Sequence, residues 1–232
     1  HVLVISGLGG EAQYEERFAQ WGQKVAQASA SVTGDPQRVQ RLAGEAARRE
    51  AVQAALRDAA KLGAGDQFVL VLLGHGSFDG SEYRFNMAGP DITGSEFASL
   101  LDRIPTAVPQ LVINATSTSG AIVERWSRPH RVIVAATRSG GERNATRFGG
   151  FWAEALASDG ADRDKDGSIT AQEAFDFANR RVGESFKSDA AVVTEHARLV
   201  GVDAARFVGA RLGAAALFAN DAQLAGLRVE QA

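Results

Sequence analysis

The 232-residue chain contains no cysteine. That absence excludes disulfides, thiolate metal sites and a cysteine nucleophile, while leaving the cellular compartment open. No apolar stretch reaches the ~20 residues that a membrane-spanning helix needs, so no membrane span is expected. A strong excess of charge of either sign is also lacking. A formal net charge of -3 gives no reason to expect nucleic acid or an anionic membrane surface as partner. Internal repeats are missing, and no composition shift marks an interdomain linker. The chain begins at His1 rather than Met, which points to an N-terminal segment removed by processing or by cloning. A cleaved secretory signal, and with it a periplasmic or secreted protein, fits that start.

What remains is the composition of an ordinary globular protein, 45% hydrophobic and 23% charged. Strand and helix patterns alternate along it. His1–Ser6 reads as a buried strand ending in Gly7-Leu8-Gly9-Gly10. Tyr14–Ala28 places Phe18, Trp21, Val25 and Ala28 on one helical face. A short strand over Ala30–Thr33, a turn at Gly34-Asp35-Pro36 and a helix over Ala46–Leu62 follow. Phe68–Leu73 and Leu111–Ile113 are continuous apolar runs, as expected of strands buried on both faces. Between them lie a hairpin around Tyr83–Met87 and a helix over Gly94–Asp102, with its N-cap near Thr93–Ser95. Ala121–Trp126 reads as a short helix and Arg131–Thr137 as a strand. Phe148–Ser158 and Ala171–Phe186 are helices around an acidic loop, and 203–227 reads as an alanine-rich helical stretch. This order predicts one α/β domain with a mainly parallel central sheet and helices on both faces.

Two strands stop at chemistry-bearing residues. Phe68–Leu73 gives way to Gly74-His75-Gly76, and Leu111–Ile113 to Asn114-Ala115-Thr116-Ser117-Thr118-Ser119-Gly120. Ligands and catalysis gather at the carboxyl ends of parallel strands, where a general base and a hydroxyl nucleophile could meet. Each piece also has a plainer reading. A strand-end histidine can be a satisfied surface residue, and Thr116–Ser119 can cap the helix near Ala121. His130 and His196 carry no companion pattern and are read as structural. Asn114-Ala115-Thr116 and Asn144-Ala145-Thr146 match the glycosylation sequon, the first by chance since it starts at a strand end.

The acidic loop Asp162-Arg163-Asp164-Lys165-Asp166-Gly167-Ser168-Ile169-Thr170-Ala171-Gln172-Glu173 matches the EF-hand pattern from its first position to its last. Asp162, Asp164 and Asp166 supply hard carboxylate oxygens, Ser168 its carbonyl, and Glu173 both carboxylate oxygens. Gly167 permits the sharp turn, Thr170 can hold a water, and Ile169 anchors the loop to the core. These residues predict a Ca2+ site, and a lone loop of this kind suits a structural ion better than a sensor. The alternative is a solvated acidic turn at the start of a helix, where acids are favoured anyway.

The two strand-end motifs together resemble the caspase-like fold, and within it the legumain (asparaginyl endopeptidase, peptidase C13) family and its bacterial relatives. The nucleophile motif of that family reads Ala-Cys-x-Ser-Gly; counting back from the shared Ser119-Gly120 places Ser117 on the cysteine. The resemblance implies His75 as general base, position 117 as nucleophile, and the backbone N–H groups of Gly76 and residue 117 as oxyanion hole. It also implies a peptide or protein as substrate or ligand. Legumains carry an acidic residue two positions before the nucleophile; here that position is Ala115. An alcohol needs a base to take its proton, whereas a thiol ionises near neutral pH, so hydrolysis is expected to be weak, specialised or lost. Ser117 is thus open to three readings: a working serine in an old cysteine-protease site, the mark of a natural pseudoenzyme kept for binding or assembly, or a Cys→Ser replacement.

Overall fold

The computed structural model describes residues 1–213. In chain order its elements are β1 (Val2–Ser6), α1 (Ala12–Thr33), β2 (Val39–Ala43), α2 (Arg49–Ala59), β3 (Phe68–Leu73), β4 (Gly76–Phe78), β5 (Tyr83–Phe85), β6 (Ile92–Thr93), α3 (Gly94–Leu101), β7 (Gln110–Asn114), α4 (Val123–Trp126), β8 (Arg131–Ala135), α5 (Phe148–Ala155), β9 (Ser168–Thr170), α6 (Ala171–Ser188), β10 (Arg198–Val200) and β11 (Val208–Arg211). Six strands form the central sheet in the order β10-β8-β7-β3-β1-β2. All its pairs are parallel except the edge strand β10, which runs antiparallel to β8.

Side chains alternate across a strand, so each apolar run feeds two cores. Leu3, Ile5, Leu70, Leu72, Val112 and Ile133 face one cluster, closed by Val52 and Leu56 of α2, Phe97 of α3 and Trp126 of α4. Val4, Val71, Leu73, Leu111, Ile113 and Val134 face the other, closed by Val25 of α1, Trp152 of α5 and Phe177 of α6. The sheet is therefore sandwiched by helices, as the alternating pattern predicts.

Several local expectations need correcting. Ala30–Thr33 is no strand: α1 continues to Thr33 and stops at Gly34, whose positive φ of 64° lets its N–H close on the Ala30 carbonyl. The strand in that region is β2, which the sequence reading did not contain. It lies at the sheet edge with only Leu42 buried, so no apolar run announces it. The helix expected over Ala46–Leu62 is trimmed to α2, because Gly44–Ala46 forms a separate 3-10 turn. The hairpin around Tyr83 is a three-stranded antiparallel ribbon, β4-β5-β6. Thr116–Ser119 caps no helix; a 3-10 turn over Ser119–Ile122 begins there instead. Finally, 203–227 is not one helix. Ala204–Arg206 is a 3-10 turn and Val208–Arg211 is β11, while 214–227 lies outside the described residues. Among the described residues no helix is long and apolar enough to cross a membrane.

Candidate active site

Strands β3 and β7 are neighbours in register, with Leu72 opposite Asn114, so their carboxyl ends lie side by side. The chain leaving β3 reaches His75 and Gly76, and the chain leaving β7 reaches Thr116 and Ser117. Both motifs consequently arrive at the carboxyl end of the central strands. There the backbones are in close contact. The Gly76 N–H donates to Ser117 Oγ at 3.2 Å, and Ser117 Oγ donates to the Gly76 carbonyl at 3.0 Å. A Cβ on residue 76 would sit 2.6 Å from the Ser117 carbonyl oxygen and 2.6 Å from the Tyr83 ring. Only glycine permits this approach.

Ser117 is 3% exposed. Its hydroxyl bonds to Gly76 rather than to His75. The imidazole is half-buried and held edge-on by two rings of α1, with centroids 4.9 Å from Tyr14 and 5.1 Å from Phe18. The structure therefore brings Ser117 and Gly76 into direct contact and sets the His75 imidazole in an aromatic notch against Tyr14 and Phe18 of α1.

The turn after Ser117 is conformationally strained. Thr118 has φ 57°, a left-handed conformation that a β-branched residue rarely adopts. Its N–H is tied to the Glu142 carbonyl at 2.8 Å, while its buried Oγ1 has no partner among the described residues. Gly120 lets the same turn press against the loop after β8, since a Cβ there would overlap the Ser139 nitrogen and the Arg138 carbonyl carbon. Beneath the turn, Thr137 Oγ1 accepts from the Gly120 N–H at 2.8 Å, and Ser119 Oγ accepts from the Thr137 N–H at 3.1 Å.

Behind Ser117, Tyr83 Oη and Thr116 Oγ1 lie 2.7 Å apart, and Thr116 Oγ1 donates to Asn114 Oδ1 at 2.8 Å. Burial pushes the Tyr83 hydroxyl up to about 12, against the opposing effect of those hydrogen bonds. Ala115, where legumains carry an acid, contributes only a methyl group packed in the core. Asn114 is fully buried, in keeping with a chance sequon.

Sequence reasoning missed the aromatic clasp of Tyr14 and Phe18, the Tyr83 brace and the carboxylate Glu142. Glu142 Oε1 lies 2.6 Å from Nδ1 of His196, and Glu142 Oε2 accepts from the Arg138 and His196 N–H groups. Burial works against ionisation of Glu142, yet these bonds together hold it below the usual carboxylate range. Aromatic residues in helical spacing signal only a buried face, so nothing in the sequence ties Tyr14 or Phe18 to His75.

The acidic loop stands elsewhere, between α5 and α6. Asp162, Asp164 and Asp166 each offer a carboxylate oxygen within 4.8 Å of the others. Glu173 lies outside that trio and serves as a helix cap: Thr170 Oγ1 accepts from the Glu173 N–H, and Glu173 Oε2 accepts from the Thr170 N–H at 2.9 Å. Its Oε1 accepts from the Arg163 N–H at 2.9 Å. Ser168 opens β9, and Ile169 is fully buried in the core.

No protein-family model and no curated protein sequence matches the chain. Solved structures do. Protein GSU0716 from Geobacter sulfurreducens superposes with a TM-score of 0.56 at 13% identity, over 86% of this chain and 91% of that one. Caspase-1 from Spodoptera frugiperda superposes with a TM-score of 0.55 at 11% identity, over 91% of this chain and 90% of that one. The chain has a caspase-like fold.

Proposed function

We propose that this chain is a legumain-like peptidase homologue in which His75 and Ser117 form a site of weak or specialised peptide hydrolysis. The observation that carries the reading is the mutual hydrogen bonding of Ser117 and Gly76 at the paired ends of β3 and β7. In the reaction, Ser117 Oγ attacks a peptide carbonyl carbon while His75 takes the hydroxyl proton. The carbonyl oxygen gains the negative charge, and the N–H groups of Gly76 and Ser117 are the donors for it. His75 then returns the proton to the leaving amine, and water releases the acyl group from Ser117.

The resting arrangement explains why such a reaction would be slow. The hydroxyl proton is committed to the Gly76 carbonyl, and the Gly76 N–H is committed to Ser117 Oγ. Both bonds must open before Ser117 can turn towards His75. A second reading, a non-catalytic module that binds a peptide or protein, is favoured by the burial of Ser117 at 3% exposure.

A fluorophosphonate probe and a broad peptide library separate the two. Labelling and cleavage that vanish in Ser117→Ala support hydrolysis through Ser117. Ser117→Cys supplies a nucleophile that needs less help from the base, and cleavage should rise at least tenfold. A folded Ser117→Cys protein that stays inert on the whole library would leave only the binding module.

A further inference from the structure

The acidic loop contains a buried carboxylate oxygen that has no partner among the described residues. Asp162 is 5% exposed, and its Oδ1 has no hydrogen-bond partner among the described residues. Its other oxygen, Oδ2, accepts from the Gly167 N–H at 3.0 Å. One oxygen thus winds the loop, and the other faces no donor. Leaving a buried carboxylate oxygen bare costs several times a lost neutral hydrogen bond, unless a cation joins it.

Asp164 and Asp166 repeat the division of labour. Asp164 Oδ1 accepts from the Asp166 N–H at 3.3 Å, and Asp166 Oδ1 accepts from the Ser168 N–H at 2.7 Å. The remaining oxygen of each has no hydrogen-bond partner among the described residues and can ligate. The two cationic side chains of the loop are drawn away from the trio: Lys165 Nζ donates to the Asp159 carbonyl at 2.6 Å, and Arg163 pairs with Asp176 at 3.5 Å. Magnesium demands a strict octahedron with several waters; three aspartates, a carbonyl and a bidentate glutamate suit the larger, more tolerant calcium shell.

A lone EF-hand loop ordinarily lacks the second loop that pairs with its short strand. Here that partner is supplied by another part of the chain. Strand β9 pairs antiparallel with β11, Ile169 opposite Ala210. The Leu212 N–H donates to the Gly167 carbonyl at 2.8 Å.

We propose that the Asp162–Glu173 loop binds one calcium ion through Asp162, Asp164, Asp166, the Ser168 carbonyl and Glu173, with β11 bracing it in place of a second loop. Glu173 reaches the ion with both oxygens by loosening its hold on the Arg163 N–H through Oε1 and on the Thr170 N–H and hydroxyl through Oε2. This inference does not depend on the peptidase reading.

The test is calorimetric titration of the full-length, chelator-treated protein with calcium and, separately, magnesium. One equivalent of calcium should bind at least tenfold more tightly than magnesium and raise the melting temperature. Amide exchange should slow in both Ser168–Thr170 and Val208–Arg211. Asp164→Ala with Asp166→Ala removes two exposed ligands, so the fold should survive by circular dichroism while calcium affinity falls more than tenfold. Asp162→Asn keeps the Gly167 contact and should weaken binding by a similar factor. No calcium heat or melting shift at millimolar ion would overturn the site, as would unchanged affinity in the folded double variant. Binding that leaves Val208–Arg211 exchange unaltered would overturn the role given to β11.

Discussion

The strand-end site and the acidic loop are two places where polar side chains converge, and they treat their hydrogen bonds in opposite ways. At the strand ends, the Ser117 hydroxyl is closed upon its neighbour, Ser117 on Gly76 in both directions. The unpartnered buried atoms there, Thr118 Oγ1 and Asn114 Nδ2, are neutral. In the loop the unpartnered atom is a carboxylate oxygen, Asp162 Oδ1. A site whose hydroxyl is bonded both ways to its neighbour is internally complete. The loop keeps one buried carboxylate oxygen without a hydrogen-bond partner among the described residues. The first is built around close backbone packing, the second around an open centre.

Glycine substitutions should separate the two regimes most sharply. In the strand-end turn, Gly120→Ala drives a methyl group into the Ser139 and Arg138 backbone, with an expected loss of more than about 3 kcal/mol. In the loop, Gly167→Ala meets nothing within 4 Å and suffers only its φ of 83°, with an expected loss of about 1 kcal/mol. Urea denaturation of both variants without added metal checks this, and equal losses would erase the contrast.

A buried carboxylate on the strand-end side offers the next effect. Glu195 caps the start of α5, its oxygens accepting from the Arg147 and Phe148 N–H groups at 2.8 Å each. Burial pushes it up to about 7 despite those donors. Because the folded-state value lies above the unfolded one, the associated stability is present below about pH 4.5 and is lost as pH rises through about 7. The whole contribution is on the order of 2–3 kcal/mol. Glu195→Gln should remove that part of the pH dependence of unfolding. A variant whose stability still falls like the parent's across this window would clear Glu195 of responsibility.

Two left-handed residues give the finer comparison. Thr118 in the strand-end turn has φ 57°, and Lys165 in the loop has φ 61°. Thr118→Gly relieves strain and deletes an unpartnered hydroxyl, against lost methyl packing and the entropy of glycine. The net expectation is a gain of about 1 kcal/mol. Exposed Lys165 carries neither branching nor a buried hydroxyl, so Lys165→Gly should gain no more than about 0.5 kcal/mol. Melting curves that rank Lys165→Gly above Thr118→Gly would contradict the assignment of strain to the strand-end turn.

Legibility in the sequence followed the same division. The four apolar runs at Val2, Phe68, Leu111 and Arg131 became adjacent parallel strands because burial on both faces leaves a continuous signal. Edge strand β2 carries Gln40 and Arg41 to solvent and leaves no such trace. Strand-end position and the family resemblance singled out His75, Gly76 and Ser117, and the register of β3 with β7 accounts for the meeting of Gly76 and Ser117. The ring contacts of Tyr14 and Phe18 were hidden, because a residue facing the core and one facing a histidine look alike in a helical pattern. The loop's carboxylates were fully visible, since their spacing is local. Its brace was not: an alanine-rich stretch reads as helix, and only the pairing of Ala210 with Ile169 makes Val208–Arg211 a strand.

That brace bears on the order in which the molecule is made. β11 pairs with the loop, and the Arg211 N–H donates to Ser31 Oγ of α1 across 180 residues of sequence. A chain emerging from the ribosome can assemble β1, β3, β7 and β8 well before Val208 is available. The loop's ladder closes only after those strands have been synthesised, and contacts of such sequence separation are the slow ones. A protease cut just before Val208 would leave the parallel sheet's hydrogen-bond ladder intact and deprive the acidic loop of its companion strand.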